Sequence, residues 1–82
     1  MRKEEIEKAV NELLMKEFEI DEKEIRPAAR LKDDLGLESL DFVDIAVMVK
    51  KRFGINVRGK DMLAVKTLGD VYDFLYSRAQ GK

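Results

Sequence analysis

Apolar residues recur at helical spacing three times along this chain, and that recurrence confines it to a helical fold. If residues 3–18 are helical, Ile6, Val10, Leu13, Leu14 and Phe18 share one face, with Lys and Glu on the other. Over 39–53, Phe42, Ile45, Ala46, Val49 and Phe53 share a face, with Val43 at its flank. Leu68, Val71, Tyr72 and Leu75 repeat the pattern over 68–78, with Phe74 alongside. Residues 61–65 predict a short additional helix between the last two. The ends carry matching signals. Glu4, Glu5 and Glu7 lie at the positive end of the first helix dipole. Gly54 is suited to stop the second helix. Thr67 and Asp70 resemble a capping box with Asp in place of Glu. Residues 79–82 are expected to fray. The prediction is an all-α fold, a small four-helix bundle of three long helices and one short one, with a long loop between the first and second.

That loop covers residues 19–38. Pro27 excludes a helix interior there, although 21–25 can form one short turn. Ile20, Ile25, Leu31, Leu35 and Leu37 are spaced as anchors onto a core. A connection of this length is uncommon in a compact domain unless it has a role. The second helix has an unusual far side. If the Phe42 face is core, Leu40, Asp44, Val47 and Lys51 lie opposite it. Leu40 and Val47 are then exposed apolar residues beside acids, bordered by Asp41 and Met48.

Composition narrows the chemistry. The 82 residues are expected to make one domain, 1–82, with a modest core. Sixteen basic residues balance seventeen acidic ones, which gives no case for nucleic acid. With no cysteine and no histidine, disulfides, thiol chemistry, Ser-His triads and the commonest zinc ligands are all excluded. No metal site and no catalysis by the chain itself are expected. The first residues carry charges without an apolar run behind them, unlike a secretory signal. The longest apolar run, 45–49, cannot span a bilayer. A cytoplasmic monomer that does not insert into membranes is the expectation.

The stretch Asp33-Asp34-Leu35-Gly36-Leu37-Glu38-Ser39-Leu40-Asp41 carries the chemistry. Gly36 permits a turn most residues resist, and Ser39 falls at the start of the second helix, where unpaired N–H groups favour an anion. The run Asp-Asp-Leu-Gly-x-x-Ser-Leu-Asp, followed by Phe42-Val43-Asp44-Ile45, resembles the attachment site of the acyl carrier protein family. The resemblance extends over roughly residues 6–77. It departs at Glu38, where the family usually has Asp, and so keeps the charge. The resemblance implies that a phosphopantetheinyl transferase moves a phosphopantetheine arm from coenzyme A onto Ser39. The arm's thiol then carries acyl intermediates as thioesters to the acyl-transferring and chain-elongating enzymes of fatty-acid, lipid or polyketide-like synthesis. An aminoacyl or peptidyl carrier, or an unmodified interaction module of the same fold, is the alternative.

Each feature also has a plainer explanation. A serine at a helix start is usually an N-cap; here the flanking motif, its position between long loop and second helix, and the match downstream favour attachment. Asp33, Asp34, Glu38, Asp41 and Asp44 are five acids within twelve residues. A solvated face explains them, and no companion base supports acid–base catalysis. The resemblance favours a docking surface made of Glu38, Leu40, Asp41, Asp44, Val47 and Met48. Charge then reverses: residues 33–49 hold five acids and no bases, while 50–66 hold six bases (Lys50, Lys51, Arg52, Arg58, Lys60, Lys66) against Asp61. Basic residues suit a helix C-terminus, which covers Lys50 to Arg52 but not Arg58 or Lys60. Fatty-acid carriers of the resembled family stay acidic here, so a specialised member with its own partners is expected. Phe42, where the family often has a smaller residue, is first of all core filling, and secondly a wall that reshapes an acyl pocket.

Overall fold

The first helical pattern becomes α1, Lys3–Phe18, in the computed structural model, which describes residues 2–80. Ile6, Ala9, Val10 and Leu14 are buried along its inner face. Glu5 accepts the Arg2 N–H at 2.8 Å and so caps its start. Its end was not marked by glycine: Glu19 takes a left-handed conformation, φ 53°, that most side chains resist. A 3₁₀ turn, Glu22–Glu24, follows within the expected 21–25. Then come α2, Ser39–Phe53, α3, Gly59–Ala64, and α4, Leu68–Gln80. Gly54 ends α2 with φ 71°. Among the described residues the fold is all-helical, a small bundle, with one isolated β-bridge between Arg30 and Thr67.

Two boundaries differ from expectation, each for a visible reason. The short helix starts two residues earlier than 61 because Asp61 acts as its third residue, accepting the Arg58 N–H at 3.0 Å. Val65 falls outside it, extended, and packs on the core. The last helix continues past 78 instead of fraying, because Ala79 packs against the core. Gly81 and Lys82, part of the tail expected to fray, lie outside the described residues.

One device starts all four helices. An acid at the third helical position accepts the N–H of the residue before the helix: Glu5 for Arg2, Asp41 for Glu38, Asp61 for Arg58, Asp70 for Thr67. At α4 the exchange is reciprocal, since the Thr67 hydroxyl accepts the Asp70 N–H at 3.2 Å.

The core joins Ile6, Val10 and Leu14 of α1 to Ile45 and Val49 of α2 and to Leu68, Tyr72 and Leu75 of α4. The Tyr72 hydroxyl donates to Asn11 Oδ1, and burial pushes its pKa up to about 12. The long loop is held in two ways. Leu31 and Leu37 are buried in the core, with Ile20, Ile25 and Leu35 packed beside them, so all five expected anchors engage it. Its backbone is also tied to the α3–α4 junction. Leu31 N–H donates to the Lys66 carbonyl, Leu68 N–H to Ala29, and Gly69 N–H to Pro27, each at 2.9 Å. A side chain at Gly69 would meet the Pro27 carbonyl at 3.1 Å, so glycine there allows the close approach. These ties fix the far end of the segment that leads into α2.

Candidate functional site

Between the anchored loop and α2 the chain coils through residues 31–35 and turns at Gly36, φ 69°. Arg30 closes the coil. Its N–H donates to Asp34 Oδ2 at 2.7 Å, and its guanidinium lies 3.5 Å from both Asp33 and Asp34. The backbone N–H and the neighbouring Arg30 charge hold the Asp34 carboxyl below its ordinary value. Two of the five motif acids are thus used to shape the loop.

Ser39 stands at the start of α2, as expected, and the plainer explanation of it as an N-cap does not apply. Glu38 is the N-cap and Ser39 the first helical residue. Asp41 takes the Glu38 N–H at 2.8 Å, so the helix start is closed by another residue. Ser39 is exposed, and among the described residues its hydroxyl makes no hydrogen bond. The first intrahelical bonds run from Asp41 and Phe42 to the Glu38 carbonyl, which leaves the Ser39 and Leu40 amides at the unpaired end of the dipole. An exposed, unengaged hydroxyl beside such amides fits a phosphodiester.

Ser39 also borders a cleft of about 630 Å³. Phe42, Val43 and Ala46 of α2 form one wall; Val57, Met62, Leu63 and Val65 form the other. The volume falls in the usual range for small-molecule sites. Phe42 packs on the core and lines this cleft. Asp61 holds α3 in place: its carboxylate meets Arg78 of α4 at 3.2 Å, while Arg78 also reaches the Asn56 carbonyl and lies 4.6 Å from the Phe74 ring centre.

The candidate docking residues are distributed unevenly. Leu40 is 79% exposed, and Val43 and Val47 join it as an apolar stripe along α2. Glu38 and Asp44 are exposed beside the stripe. Asp41 is half-buried and occupied with the helix start. Met48 is half-buried and lines a second groove with Glu12, Leu13, Lys16 and Glu17 of α1. Sequence reasoning missed Leu63 on α3, 77% exposed, and gave Val43 only a flanking place. Its clue was an apolar residue in a short segment with no core partner at helical spacing. Among the described residues no acidic cluster has the makings of a metal site, and no helix is long and apolar enough to cross a membrane.

Comparison with known proteins bears on the same residues. A family model described as "Phosphopantetheine attachment site" matches residues 8–75, which include Ser39 and both walls of the cleft. The chain is 33% identical over 73 residues to a protein of Thermotoga maritima described as "Acyl carrier protein", covering 89% of this chain and 90% of that one.

Proposed function

Because the chain belongs to the acyl carrier protein family, the proteins with a phosphopantetheine attachment site, we propose that Ser39 carries the phosphopantetheine arm and that the chain presents acyl groups to biosynthetic enzymes. The observation that carries this reading is the exposed, unengaged Ser39 hydroxyl at the first residue of α2, on the edge of an apolar cleft. When attached, the arm supplies the thiol that this cysteine-free chain lacks.

The remaining work falls to the chain's own residues. Ser39 Oγ is the acceptor, and a phosphopantetheinyl transferase supplies the metal for the transfer. The amides at the start of α2 offset the phosphodiester charge. The capped helix start and the Arg30–Asp34 closure hold the serine at a fixed place on the rim. The walls around Phe42, Val57 and Met62 offer apolar surface that removes an acyl chain from water. Glu38, Leu40, Asp44 and Val47 form the surface for partner enzymes, with Asp41 and Met48 at its border. Acids beside an apolar stripe suit brief, salt-sensitive contacts with basic patches on acyl-transferring and chain-elongating enzymes. The chain catalyses nothing by itself in this scheme; it works as a single domain and as a monomer in the cytoplasm.

The basic run from Lys50 to Lys66 supports a specialised carrier. Equal acceptance of its acyl form and that of a housekeeping carrier by a generic fatty-acid ketosynthase would count against that. The primary test is intact mass after incubation with coenzyme A and a broad-specificity transferase. Addition of one phosphopantetheine to wild type and none to Ser39→Ala is the expected result. No addition to folded wild type, beside a working control carrier, overturns the reading in favour of an unmodified interaction module.

A further inference from the structure

Resting on the carrier reading, we infer that the cleft beside Ser39 takes an acyl chain ending in a carboxylate, the half-thioester of a medium-length α,ω-dicarboxylic acid. The apolar walls alone would suit any alkyl chain. The rim is different. Arg30, Lys32, Arg58 and Lys66 line the cleft against one acid, Asp33. Arg30 is offset by Asp33 and Asp34, each 3.5 Å away. Among the described residues, Lys32, Arg58 and Lys66 form no ion pair. Asp61, the single acid between residues 50 and 66, is engaged by Arg78 at 3.2 Å. Lys32 and Arg58 therefore border an apolar cleft without a counter-charge, and Lys66, whose charge also acts on the Asp70 carboxylate, is left without a direct ion pair.

Local helix chemistry does not account for them. Lys32 lies in the loop coil, Arg58 immediately precedes α3, and Lys66 immediately precedes the residue that caps α4. Each helix-flanking cation sits at the positive end of a dipole, where it gains nothing. An anion at the far end of the cargo supplies what is missing. Its methylenes bury against Val43, Met62 and Leu63, while its carboxylate stays at the wet rim and avoids the cost of burying an unpaired charge. Arg58 can hold it with two parallel hydrogen bonds. The phosphodiester on Ser39 is a separate anion, served by the α2 amides and present whatever the cargo.

The test compares octanoyl and suberoyl cargoes, which match in length and differ in the terminal carboxylate. Each is loaded on the arm of wild type and of the triple variant Lys32→Gln, Arg58→Gln, Lys66→Gln; all three sites are exposed, so the fold is expected to survive. The readout is the rate of thioester cleavage by hydroxylamine, relative to the same thioester on free pantetheine. The variant is expected to lose about threefold of the protection of suberoyl, a size set by the modest strength of exposed ion pairs. Octanoyl is expected to be unaffected. Salt is expected to reproduce the loss in wild type. An equal change for both cargoes, or none for suberoyl, overturns this inference and leaves the carrier reading intact. Failure of the arm to load, read first by intact mass, overturns the carrier reading and this inference with it.

Discussion

The α1–α4 side and the α2–α3 side of this molecule use their apolar residues in opposite ways. α1 and α4 pack more closely on each other than any other pair of elements. Ile6, Leu68 and Leu75, all on that pair, are the largest fully buried side chains. The α2–α3 side buries only Ile45 and Val49, and none of α3. It leaves Leu40, Val43, Val47 and Leu63 to solvent. Burial is the main source of stability in a small domain, so apolar surface left outside serves something other than folding. One side holds the fold; the other presents the serine, the cleft and the stripe.

Substitutions can break that division, and the largest effect belongs to the holding side. Leu68→Ala is expected to cost about 2–5 kcal/mol, as for other fully buried leucines. Denaturant melts check it, and a loss below about 1 kcal/mol would deny α4 its structural weight. Phe42→Ala lies on the boundary between the sides. Phe42 is only partly buried, so a cost of about 1–2 kcal/mol is expected, below that of a fully buried phenylalanine. The longest acyl chain protected is expected to lengthen as the wall recedes. If wild type and variant protect the same lengths, Phe42 is core filling alone.

A smaller effect concerns acid. The N–H groups of Lys66 and Thr67 hold the Asp70 carboxyl below its ordinary value of 3.8. A carboxyl depressed in the folded state contributes stability in full above the unfolded value and loses it as pH falls through the folded one. Melting of wild type is therefore expected to drop below about pH 4, and Asp70→Asn to lose part of that dependence. An identical pH profile for the variant would remove Asp70 from the account. The smallest effect is on the presenting side. Val47→Ala is expected to change stability by no more than about 0.5 kcal/mol, while weakening binding to a partner enzyme. A core-sized loss of stability would show that the stripe belongs to the fold after all.

The helices were legible because burial on one face writes a period into the sequence: Ile6 to Phe18, Phe42 to Phe53 and Leu68 to Leu75 all pack as that period requires. The start of α3 was less legible, since Asp61 reads as a first residue until its bond to the Arg58 N–H places it third. The left-handed Glu19 had no marker, because the conformation is normally announced by glycine. At the candidate site, the motif put Ser39 at a helix start and the angular pattern put Leu40 and Val47 on an exposed face, where they are found. The cleft was not readable. Lys32, Phe42 and Lys66 come together only when the loop is tied to the α3–α4 junction, and no local pattern records that pairing.

The division of labour is tested most directly by backbone amide spectra of the chain with a bare arm and with an octanoyl cargo. Shifts are expected at residues 39–46 and 57–66, with α1 and the body of α4 unchanged. Shifts concentrated on α1 and α4, with the cleft residues still, would contradict the assignment of the presenting side.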